Sequence, residues 1–268
     1  MAKLHVEPEA PNLVCITNAG YVKYNGQSTR GLYDVIPRIS KISLGRGNLL
    51  PLHSQGNQRL WFAFAHKRSE KELFLTYVST GGRGLQATRP INVYVAKKQS
   101  FDPFKKVLGD KTFSIVTLIN GWADNIPEDL MNGALYHDHL CCGVFSGYFT
   151  VRFIQKHIPL KEQERYIYIG APAWCQDDYI MYALNLTPGK RSYYTMAYPW
   201  SRPWKTKKKV YKKIRFFLKH LDQPEDFVAV LRVKRLKSRK DLDRLVNMGT
   251  NPLQEMLGQD PTWGTDID

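Results

Sequence analysis

The sequence predicts an α+β protein: two related α/β units, a pseudo-duplication, each with a mixed sheet packed by helices, and a basic C-terminal extension. Three observations carry this reading. Short apolar runs with strand character alternate with helical patterns through residues 13–198. The order strand, helix, glycine-basic loop, strand occurs twice, and Asp34 precedes Gly45-Arg46-Gly47 by the same interval as Asp178 precedes Gly189-Lys190-Arg191. Beyond Tyr198 the chain becomes basic and aromatic. The divisions expected are 1–110, 111–200 and 201–268.

In chain order, residues 13–24 read as a strand turning at Asn25-Gly26, and Ser28 or Thr29 caps a short helix to residue 39, weakened by Pro37. Gly45-Arg46-Gly47 is a glycine-rich loop entering an extended run. Residues 60–65 and 73–78 pair as strands across a charged turn, and 91–95 form a further strand. The polar stretch 101–110, with Pro103 and Gly109, is the best boundary. A second unit opens with a strand at 113–119, and a long helix over 128–157 is broken near Asp138-His139 and Gly143. Residues 165–170 form a strand, 175–186 a helix and 192–198 a strand. Residues 214–218 and 227–233 read as closing strands and 241–256 as a terminal helix.

The 268 residues carry a net charge of +15, much of it between Lys205 and Lys240, which points to an acidic partner. The opening residues have no apolar signal region, and no run approaches the length of a membrane span, so a cytoplasmic protein is expected. Four cysteines, two adjacent, do not make a disulfide framework. The Gly45-Arg46-Gly47 and Gly189-Lys190-Arg191 loops could cradle a phosphate through backbone N–H groups and basic side chains, but neither matches a phosphate-binding fingerprint and a plain turn is the better reading. The aromatic and lysine run 200–213 could stack single-stranded nucleic acid, but without a recognisable module it reads as a solvated or docking surface.

The chemistry concentrates in residues 136–148. His137, His139, Cys141 and Cys142 place two imidazoles and two thiols within six positions, and these donors suit zinc, iron or nickel. On a helix His137 and Cys141 share a face, while His139 and Cys142 point elsewhere unless the chain turns. Two ligands make half a tetrahedral site. The distant donor is Cys175, at a helix N-terminus whose dipole favours the thiolate. His139 is a fourth ligand or a proton-handling neighbour. Asp178, one turn beyond Cys175, could ligate, orient a histidine or move a proton. Cys142 beside Val144 and Phe145 reads as a packed thiol, and Cys15 as core.

His-x-His-x-Cys followed by Gly143, Gly147 and Tyr148 resembles the signature of the FmdE family, named for formylmethanofuran dehydrogenase: His-Gly-His-x-Cys-Pro-Gly, three residues, then Gly-Tyr. Cys175-Gln176-Asp177-Asp178 leading to Gly189-Lys190 is similar to its second element. The first half, from Cys15 through Asn18-Ala19-Gly20-Tyr21 to Gly45-Arg46-Gly47, resembles the extra N-terminal region of long relatives in methane-metabolising archaea. The resemblance implies an α+β fold, a metal site of histidine and cysteine, often zinc, and a dimer or pseudo-dimer. Cys142 stands where the family has proline, and Gly31 stands where a first-half cysteine would fall before Asp34. The expected function is therefore metal binding, with redox or one-carbon chemistry if catalytic and with Cys141 and Asp178 as its catalytic groups. An accessory protein docking on an acidic partner and a nucleic-acid binder are the rivals.

Overall fold

The computed structural model describes residues 2–81, 84–95, 100–162, 165–170 and 173–195. Two compact units divide at Phe145 and Ser146, inside one continuous helix. The strands expected at 214–218 and 227–233, the helix at 241–256 and the basic run 200–213 lie outside the described residues.

The first unit is organised by strand β1 (Leu13–Thr17), all five residues of which are buried. The chain leaves β1 through a small hairpin, β2 (Lys23–Tyr24) and β3 (Gln27–Ser28), and enters helix α1 (Leu32–Ile39). It returns as β4 (Leu49–Pro51), parallel to β1 with Cys15 opposite Leu49. Two longer strands, β5 (Trp61–Ser69) and β6 (Glu72–Gly81), form the expected hairpin, with β5 antiparallel to β1. Strands β7 (Gly84–Ala87) and β8 (Ile91–Asn92) both pair with β6, giving the order β4-β1-β5-β6-β7 with β8 beside β6. The sheet is mixed, as expected of an α+β chain. Period-two alternation sends Leu13 and Cys15 into a core with Ile36 of α1, Ile42 and Leu49. Val14 and Ile16 point to the other face and are equally buried.

Helix α2 (Asp102–Leu108) occupies the polar stretch read as a boundary, with Pro103 in its first turn where no amide is needed. Helix α3 (Thr112–Ala123) packs on β1 and β5, and corrects the strand expected at 113–119. Residues 113–119 are a continuous apolar, β-branched run, and periodicity alone cannot separate a buried strand from a buried helix. Burial over most of its circumference goes with the helix: Ser114, Ile115, Val116, Leu118 and Ile119 are covered while Phe113 is exposed. Asn120 clips α3 to the sheet, its amide donating to the Val93 carbonyl at 2.8 Å and its oxygen accepting the Val95 N–H at 3.0 Å. Helix α4 (Glu128–His137) follows Pro127 and ends at Asp138, whose φ of +81° is left-handed. The break expected near Asp138-His139 is present.

Helix α5 (Cys142–His157) carries the chain into the second unit, where β9 (Tyr168–Gly170) pairs in parallel with β10 (Tyr193–Thr195) around helix α6 (Cys175–Ala183). Each unit thus contains a strand, a helix and a returning parallel strand. The glycine-basic loops preceding β4 and β10 are turns: the Gly47 N–H bonds Leu44 O at 3.0 Å, and the Arg191 N–H bonds Pro188 O at 3.0 Å. Those amides are not free to cradle a phosphate.

Candidate metal centre

Three of the candidate donors come from the link between α4 and α5. His137 is the last residue of α4, and Asp138 stops the helix by turning left-handed. The Asp138 Oδ2 accepts a hydrogen bond from Ser114 Oγ at 2.8 Å. The Leu140 N–H donates to Thr117 Oγ1 at 3.1 Å, and the Cys141 carbonyl accepts the Phe145 N–H at 3.1 Å as α5 begins. Leu140 also packs on Gly121 of α3; a Cβ there would lie 2.7 Å from Leu140 Cδ2.

The left-handed turn is what lets His139 join His137, which a straight helix would forbid. The two imidazoles have centroids 4.3 Å apart, and the His139 ring meets Phe113 edge-on at 4.9 Å. Burial opposes ionisation of Cys141. Hydrogen bonds from His137 and His139, the Val144 amide and the His139 charge outweigh it and bring the thiol down to about 5. At neutral pH Cys141 is a thiolate, the form that binds metals.

Cys175 opens α6. Its position within the second unit is set by an unusually close approach of α5 to α6: a Cβ on Gly147 would lie 2.6 Å from Gln176 O and 2.8 Å from Tyr179 Cβ. Ser146 Oγ, one residue earlier, donates to Gln176 Oε1 at 3.2 Å. His137, His139, Cys141 and Cys175 each offer one ligand atom, and these atoms all lie within 4.8 Å of one another. A zinc tetrahedron of nitrogen and sulfur has edges of about 3.6 Å. Two imidazoles and two thiols are a donor set suited to zinc, and the group could hold a metal ion.

The family comparison converges on the same residues. Residues 136–261 match the family model described as FmdE, Molybdenum formylmethanofuran dehydrogenase operon. Over these residues, just under half of the chain, the protein is similar to the FmdE family. No curated protein and no solved structure gives a match. The FmdE match begins one residue before His137 and takes in all four donors.

Within the matched region the remaining candidates separate. Asp178 is half-buried and is not one of the four donors. Its neighbour Asp177, buried to 1% exposure, accepts hydrogen bonds from Tyr168 Oη at 2.6 Å and the Trp174 N–H at 2.7 Å. Asp177 therefore fixes the start of α6, and burial together with its charge pushes the Tyr168 hydroxyl well up. Cys142, expected to be packed, is exposed. The buried stripe of α5 runs through Val144, Gly147, Val151 and Ile154, and Cys142 falls on the opposite side. Cys15 is core as expected, and burial pushes its thiol far up. The sequence reading missed Ser114, Thr117 and Gly121, because a strand over 113–119 would not bring them onto one side.

Proposed function

We propose that the protein is a metal-binding FmdE protein in which His137, His139, Cys141 and Cys175 hold zinc, with iron or nickel as alternatives. The single observation supporting this is the convergence of two imidazoles and two thiols, one of them held as a thiolate. Bound zinc would supply Lewis acidity if a coordination position opened to substrate, and a structural clamp if all four donors stayed bound. In the catalytic version, tied to redox or one-carbon chemistry, His137, Cys141 and Cys175 would hold the metal, His139 would handle a proton beside it, and Cys141 and Asp178 would be the catalytic groups. Elemental analysis of purified protein should find about one metal per chain, retained on dialysis and lost from Cys141→Ser and His137→Ala. Metal-free protein whose stability ignores chelators would remove the proposal.

A second reading has its own support. Four protein donors are enough to close a tetrahedron, which suits a structural metal in an accessory protein. In that version the basic surface docks on an acidic protein partner or the chain forms a homo-oligomer, in the cytoplasm, and nucleic acid is a less favoured partner. None of the described helices is long and apolar enough to cross a membrane. X-ray absorption on the metal-loaded protein separates the two versions, since a bound water in place of one protein donor would support catalysis. The paired strand–helix–parallel-strand arrangements, together with the equal acid-to-loop intervals, support descent from a duplication with units at 1–110 and 111–200 and an extension at 201–268.

A further inference from the structure

We propose that α3 is a positioning element for the metal: the hydroxyls of Ser114 and Thr117 hold the His137–Cys141 loop in its ligating conformation, and so set metal affinity and geometry. This rests on the reading that the group binds a metal. Ligands and anchors alternate along the loop. His137, His139 and Cys141 offer donor atoms, while Asp138 and Leu140, between them, are tied back to α3.

Each tie is specific. Asp138 adopts a φ of +81° without being glycine, a conformation that persists only where the surroundings hold it. Ser114, buried to 5% exposure, donates to its carboxylate at 2.8 Å in a part-buried position. The Thr117 hydroxyl is committed in both directions. Its hydrogen is directed into its own helix, to Phe113 O at 2.8 Å and Ser114 O at 3.3 Å. That leaves a lone pair for the Leu140 N–H at 3.1 Å. Phe113, Ser114, Thr117 and Gly121 are spaced by one, three and four residues, so one side of α3 meets the loop at the His139 ring, the Asp138 carboxylate, the Leu140 amide and the Leu140 side chain.

The physical consequence is preorganisation. A free five-residue loop would lose its backbone freedom each time it closed on an ion, whereas a loop already tied at alternate residues has little left to lose. Partners that orient ligands in this way typically change metal affinity about 10- to 100-fold. Ser114 and Thr117 act through the ligands and touch no metal themselves.

The test uses the full chain and cobalt(II), whose visible bands report ligand number and geometry, with zinc competition for affinity. Thr117→Val keeps the side-chain shape and removes the hydroxyl; Ser114→Ala removes the other tie. Both should bind cobalt at least about tenfold more weakly and shift or broaden its visible bands. Thr117→Ser, which restores a hydroxyl, should recover the wild-type spectrum. Retention of wild-type affinity and spectrum by both variants would overturn the proposal. So would a lowered melting temperature with an unchanged cobalt spectrum, which marks a merely structural role. A wild-type chain that takes up neither cobalt nor zinc removes the metal reading itself, an outcome distinct from a failure of the α3 ties.

Discussion

Cys141 is where residue-scale chemistry is most exposed to test. Its thiol is brought from an ordinary value of 9.0 to about 5 by His137, His139 and the Val144 amide acting against burial. A thiol lowered on folding stabilises the fold above its unfolded value, and that contribution is lost as pH falls through the folded value. In metal-free protein the contribution is therefore full above about pH 9 and fades down to about pH 5. Ultraviolet thiolate absorbance should fall in a step near pH 5, and Cys141→Ser should remove that step. Cys15 supplies the contrast, since its buried thiol stays protonated through this range. Cys15→Ser places a hydroxyl in an apolar core and should cost about 1–3 kcal/mol in denaturant unfolding, with metal content unchanged.

At the scale of elements, two glycines mark contacts of unequal stiffness. Gly147 faces backbone atoms of α6, which cannot yield, so Gly147→Ala should force α5 and α6 apart. A loss of about 1–3 kcal/mol is expected, with weakened metal binding, because Cys175 travels with α6. Gly121 meets only the ends of side chains, those of Leu140, Ile126 and Met131, which can rotate away. Gly121→Ala should be the milder change in the same thermal melt, and equal losses would contradict this account. These helices were unequally legible. The α4–α5 break could be read at Asp138-His139, because a left-handed stop has a local sequence signature, whereas Gly143, also expected in the break, lies inside α5. Helix α3 could not, because its identity depends on which residues around most of its circumference are covered by tertiary packing, and no local pattern contains that.

For the whole molecule, bound metal should behave as folding energy. Chelation of a metal-loaded sample should lower the melting temperature by several degrees, more strongly at low pH, where protons compete for the ligands. The net charge of +15 makes a separate expectation. If the basic surface serves a protein partner, titration with single-stranded oligonucleotide should show only weak binding that disappears with salt. Tight, sequence-tolerant binding at physiological salt would favour the nucleic-acid reading.

The sequence by itself determined the α+β class, the β1–α1–β4 order, the β5–β6 hairpin and the four candidate donors. Those follow from period-two alternation, turn residues and donor chemistry, which are local properties. Only the tertiary structure decided that His139 joins His137, that Asp177 anchors the start of α6, that Cys142 faces outward and that α3 is a helix tied to the donor loop. Each depends on which side of one element meets another, and that is settled by long-range packing.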